Sequence, residues 1–144
     1  MVFRIYCMCL MIFASSISVS ADCVQCDFKG QNLAFADFSN QDLSGAIFLG
    51  AYLINANFEG AKLTDANFSG SWANGASFRD ARLRNVKFIG TELELADFTD
   101  ADLTNVDFTN AFVRHIKMTK EQSQKSNFCQ TTLRDAVLRG VTCQ

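Results

Sequence analysis

Proline is absent from this chain, and there is only one histidine and one tryptophan in 144 residues. A chain without proline keeps a backbone N–H at every position, as a long hydrogen-bonded ladder requires. A single histidine, His115, leaves no pair for a histidine-based metal site. No nucleophile–base set, phosphate-binding glycine loop or metal-ligand spacing is present either. Charge of one sign is also scarce: 13 basic residues against 15 acidic ones leave a net of −2. These absences argue against an enzyme and call for no cofactor.

What is present is a period of five, in one frame from about Ala21 to Ala111. The third position of each unit is large and apolar. Residues two before it are small, as in Ala36, Ala46, Ala51, Ala56 and Ala61. A separation of two is the strand period, so both point to one side. The residue between them faces the other way and is mostly polar, as in Asp27, Asn32, Asp37 and Asp42. All eight glycines fall two after the large position, a phase shared with Asn40, Asn55, Asp65 and Asn85. Gly, Asn and Asp tolerate turn conformations, so each unit reads as a short extended piece and a corner. A helix cannot hold one face on a period of five.

Units of small, Asp/Asn, Leu/Phe, Ser/Thr and any residue resemble the pentapeptide-repeat family. The resemblance implies an all-β fold, a right-handed four-sided parallel β-helix with four units, about twenty residues, per coil. Sorting the centres by twenty supports four sides. One column reads Phe28, Phe48, Phe68, Phe88, Phe108, Phe128, and its opposite Phe38, Phe58, Phe78, Phe98. The others read Leu33, Leu53, Ala73, Leu93, Val113 and Leu43, Leu63, Leu83, Leu103. These columns are the expected core, each buried Phe or Leu contributing roughly 1.5–3 kcal/mol. Ala73 predicts an underfilled wall. The expected solenoid has four to five coils over residues 22–115, followed by a C-terminal cap over 116–144.

Residues 1–21 stand outside the frame. Arg4, the apolar run Ile5 to Phe13 and the small-x-small site Val19-Ser20-Ala21 read as a secretory signal peptide, too short to span a membrane. Removing Arg4 leaves 12 basic and 15 acidic residues, a net of −3. An exported chain is expected, in a periplasm, outside the cell or in a thylakoid lumen, with no membrane span after cleavage. Asp22 ahead of Cys23 argues against lipidation. Cys23, Cys26, Cys129 and Cys143 remain in the mature chain. The coils between the pairs put the ends on the order of 20 Å apart, while a disulfide spans Cα atoms under about 7 Å. That leaves Cys23–Cys26 and Cys129–Cys143, with a reduced Cys23 and Cys26 still open. Distance also removes a four-cysteine zinc site.

After Phe112 the frame weakens. Thr119 with Gln122 forms a capping box and predicts one short helix. Phe128-Cys129-Gln130-Thr131-Thr132 resembles a phrase near the end of exported family members, which then continue Met-Pro-Asp-Gly. Here Leu133-Arg134-Asp135-Ala136 departs from it. A helix and a closed loop would cover a strand edge that otherwise invites aggregation.

The outward positions sort by side. The sides centred on Phe38 and Leu43 show polar residues such as Asp37, Arg79, Asp42 and Lys62. The Leu33 side shows Tyr52, Ile54, Trp72 and Phe112, with Phe35 and Leu95 at its corners, and its neighbour adds Ile47, Leu49 and Ile89. An exposed aromatic strip marks an interaction surface. The leading expectation is a rigid, non-catalytic exported module that presents this surface to a protein partner or to itself. The resemblance also suggests a DNA mimic acting on a gyrase-like topoisomerase. Duplex DNA carries one charge per about 1.7 Å, so a rod of roughly 22 Å would need on the order of a dozen net negatives. Nucleic-acid binding is not expected, because the basic run Arg79, Arg82, Arg84, Lys87 lies among carboxylates. Carbohydrate binding through Tyr52 and Trp72 is a third reading.

Overall fold

Backbone pairing follows one rule, a parallel bridge from each outward residue to the residue twenty further on. The computed structural model describes residues 24–133. The first side runs through Asp27, Ile47, Asn67, Lys87, Asp107 and Asn127. The second runs through Asn32, Tyr52, Trp72, Glu92 and Phe112, the third through Asp37, Asn57, Ser77, Asp97 and Lys117, the fourth through Asp42, Lys62, Arg82 and Asp102. The chain is therefore a four-sided coil. Strand β1 (Phe112–Val113) pairs in parallel with β2 (Thr132–Leu133) and continues the second side.

The corners of the regular coils are hydrogen-bonded turns. The carbonyl of the central Phe or Leu accepts from the N–H three residues on, as in Gln31 to Phe28 and Ala36 to Leu33, both 3.1 Å. The residue two after the centre has φ between 54° and 70°. A positive φ there with an i to i+3 bond is the pattern of a type II turn, which selects Gly and Asn. At Gly60 and Gly75 the φ of 68° and 70° is what favours glycine; a Cβ there would meet only the movable amide end of Asn40 or Asn55 one coil below.

The inward positions make one core. Phe38 to Phe108 and Leu43 to Leu103 are buried along their columns. Rings one coil apart stack, as Phe58 on Phe78 at 5.1 Å and 3°. Rings of the two opposed columns meet edge to face, as Phe48 and Phe58 at 5.5 Å and 85°. Both arrangements suit the ring quadrupole and add about 0.5–1.5 kcal/mol per pair beyond burial. Ala73 is fully buried where its column otherwise holds larger side chains. On the same inward face the buried Ser71 hydroxyl has no hydrogen-bond partner. Thr91, one coil on, donates to the Phe68 carbonyl at 2.8 Å.

On the fourth side, helix α1 (Lys120–Gln124) takes the place of the rung above Asp102. Thr119 caps it: its Oγ1 accepts from Gln122 N–H at 3.1 Å, and its own N–H donates to Gln122 Oε1 at 2.7 Å. Gln122 Nε2 then donates to the carbonyls of Phe98 and Ala101 at 2.8 and 2.9 Å. One side chain thus closes the cap and ties the helix to the coil beneath. Bridging resumes at Asn127.

Candidate interaction surface

The polar sides use their charges on themselves. An Asp or Asn before the centre accepts from the N–H and hydroxyl two residues on, as Asp42 from Ser44 and Asp97 from Thr99, with hydroxyl distances of 2.6 Å. Other contacts run between coils: Lys62 to Asp42 and Arg84 to Asp102 at 2.7 Å, Lys117 to Asp97 at 3.1 Å. At the corner after the fourth side, Asn105 donates to Asn85 at 3.3 Å and Asn85 to Asp65 at 2.9 Å. These contacts set the carboxyl groups. The hydrogen bond from Lys62, then that from Ser44, holds Asp42 at about 2. Burial pushes Asp97 up, but Thr99 and Lys117 together bring it to about 2. Ser39 lowers Asp37, and Thr104 and Arg84 lower Asp102. All four shifts run away from the range of a general acid or base at neutral pH. Among the described residues no cluster of three His, Cys, Asp or Glu could hold a metal. His115 sits exposed at a corner with φ 54°.

The second side is different. Tyr52 and Trp72 stack at 4.5 Å and 10°. Tyr52, Ile54, Phe112, Phe35 and Leu95 are exposed, the last two at 72% and 59%. Ile47 on the first side adds a smaller apolar exposure. Trp72 is half-buried rather than fully exposed, and one of its ring faces lies against Tyr52. The strip is not wholly apolar. Glu92 accepts from Asn74 at 3.2 Å, and Arg114 pairs with Glu94 at 2.8 Å near the upper end.

Phe35 and Leu95 carry a feature invisible in exposure alone. Both have φ 62°. The other positive-φ residues among those described are Gly, Asn, Asp, Gln or His. An L residue with a large side chain in this region costs roughly 1–2 kcal/mol. Burial does not offset that cost, because both side chains stand in solvent. The corner N–H of each bonds to the next coil, Phe35 to the Ile54 carbonyl at 2.9 Å and Leu95 to the Arg114 carbonyl at 2.8 Å, but Gly or Asn would keep that bond without the strain, which makes the pair a pointer to function. Sequence phase places both residues at corners, but their strain is measurable only once φ is known.

The family described as pentapeptide repeats (8 copies) matches this chain over residues 21–60, 48–80, 61–100 and 76–114, most of its length. The chain belongs to the pentapeptide-repeat family. A pentapeptide-repeat protein from the thylakoid lumen of Arabidopsis thaliana is similar at 29% identity, over 82% of this chain and 85% of that one, with a TM-score of 0.61. The pentapeptide-repeat protein Rfr23 of the cyanobacterium Cyanothece 51142 shares the fold at 19% identity, over 66% and 62%, with a TM-score of 0.50. No curated protein matches the sequence. The fold is accordingly a right-handed β-helix solenoid. The signal segment 1–21, Cys23, Cys143 and the tail 134–144 lie outside the described residues. No helix among the described residues is long and apolar enough to cross a membrane.

Proposed function

We propose that this pentapeptide-repeat chain is an exported, non-catalytic interaction module, and that it meets its partner through the second side. The observation that carries this reading is the pair Phe35 and Leu95, strained at φ 62° and exposed at the edge of the Tyr52–Trp72 stack. A fold that needs only Gly, Asn or Asp at a corner gains nothing by itself from Phe or Leu there. Trp and Tyr dominate contact energies once desolvated. The thylakoid-lumen relative, 29% identical, supports placement in an exported compartment.

The alternatives have less behind them. A net of −3 after residue 21 is far from the charge density of duplex DNA. Carbohydrate binding has only Tyr52 and Trp72 behind it, two rings stacked on each other. The test is capture from extract with the parent, Tyr52→Ala, Trp72→Ala and Asp102→Ala. The first two changes should abolish capture, and the third should not. Capture that survives both aromatic changes would remove the residue-level basis of the reading.

Two disulfides belong to the same proposal, Cys23–Cys26 and Cys129–Cys143. Cys26 and Cys129 lie among the described residues, and their proposed partners Cys23 and Cys143 do not. Five coils at about 4.8 Å hold Cys26 and Cys129 roughly 24 Å apart, too far to pair with each other. Non-reducing mass mapping should link Cys129 to Cys143, and a Cys26–Cys143 peptide would defeat the pairing.

A further inference from the structure

We infer that the partner on the second side is a second copy of this chain, packed face to face with its coil order reversed. This rests on the reading that the second side is a contact surface. The argument begins with two midpoints. Tyr52 and Trp72 occupy neighbouring rungs of the bridge column Asn32, Tyr52, Trp72, Glu92. Phe35 and Leu95 occupy the first and fourth rungs at the corner of that same side. Both pairs are centred on one level, halfway between the Tyr52 rung and the Trp72 rung. An isologous interface requires that if one residue meets another, the reverse contact also holds. A two-fold axis at that level, parallel to the rungs, meets the requirement. It sets Phe35 against Leu95 of the second copy, and Tyr52 against Trp72 of the second copy, each twice.

The polar groups agree with this register. The Glu92 rung falls opposite the Asn32 rung of the other copy, so a carboxylate meets an amide that can donate to it. Glu94 falls opposite Ala34. No two like charges face each other across the four rungs. The alternative two-fold, along the rod and through the middle of the face, would set Glu92 on Glu92, where like-charge juxtaposition opposes association. Size sets the strength. Four rungs at about 4.8 Å and five residues at about 3.3 Å give a face on the order of 300 Å² in projection. Counted on both copies that is about 600 Å², below the roughly 1,000 Å² of a stable specific interface, so the dimer is weak and concentration-dependent. Phe112 lies one rung above the overlap and takes no part in it.

Sedimentation equilibrium of the purified, oxidised protein over a concentration series tests this. The parent should show a reversible monomer–dimer equilibrium. Leu95→Asn and Phe35→Asn suit the local φ, so they keep the fold, and each should raise Kd roughly tenfold or more. Phe112→Asn should leave Kd unchanged. Asn32→Lys should tighten the dimer, and adding Glu92→Lys should undo that gain. A monomer at the highest soluble concentration overturns the proposal. So does a Phe112→Asn effect equal to that of Leu95→Asn, or an Asn32→Lys variant that fails to tighten. If a monomeric parent still captures another protein through Tyr52 and Trp72, the contact surface stands and only the self-pairing falls.

Discussion

The second and fourth sides of the coil share a Leu-rich interior and the same turns, yet they end in opposite surfaces. On the fourth side, Asp42, Lys62, Arg84 and Asp102 satisfy one another from coil to coil, and Asn85 and Asn105 extend the pattern along the corner. On the second side, Tyr52 and Trp72 stack, and Phe35 and Leu95 stand out at strained corners. Exposed ion pairs are each worth about 0–1 kcal/mol, so the fourth side is not what holds the rod together. The lesson is a division of labour. Inward positions make the rod, and outward positions are free to differ because the rod does not depend on them.

Phe68→Ala bears on the shared part and should have the largest effect. It removes a fully buried ring stacked on both neighbours, at a cost of about 3–5 kcal/mol. The outward Asn67→Ala should cost far less. Equal midpoints in thermal melts would mean that the inward columns are not the core.

Exchanging corner chemistry sharpens the contrast next. Asn85 has φ 58° and bonds to Asp65 and Asn105. Asn85→Leu would place on the fourth side what the second side already has at Leu95. The fold should lose roughly 1–2 kcal/mol to the strained backbone, read from urea unfolding. An unchanged midpoint would show that bulky residues are tolerated there at no cost, and the strain argument for Phe35 and Leu95 would fail.

The smallest effect is in acid. Asp42 has a folded value of about 2, below the roughly 3.9 of an unfolded Asp. Its contribution is fully present above the unfolded value and is lost as pH falls through the folded one. Melting midpoints of the parent should therefore decline between about pH 4 and 2. Asp42→Asn should start lower near neutral pH and decline less over that window. A parallel decline in both proteins would assign the acid sensitivity to other groups.

Much of this was legible in the sequence. Sorting centres by twenty separates Phe28, Leu33, Phe38 and Leu43 into columns, because a period of five with four turns per coil leaves no other way to bury them. The same sorting brings Tyr52 and Trp72 onto one side. The rest depends on torsions and rotamers. That Arg84 reaches Asp102, eighteen residues away rather than twenty, follows from where a long side chain leans. That Tyr52 covers a face of Trp72 follows from ring planes, and it leaves Trp72 half-buried where its outward phase implied exposure. The unpartnered Ser71 hydroxyl has no signature at all, since Ser71 occupies an ordinary small position.

The double variant Phe35→Asn/Leu95→Asn tests the central claim most directly, with thermal melting and sedimentation measured on the same sample. The account predicts a more stable fold, because Asn suits the φ of 62° at both corners, together with loss of association. A variant that melts lower than the parent, or one that associates as before, would contradict it: either the two residues serve the fold, or the second side is not where the molecule makes its contacts.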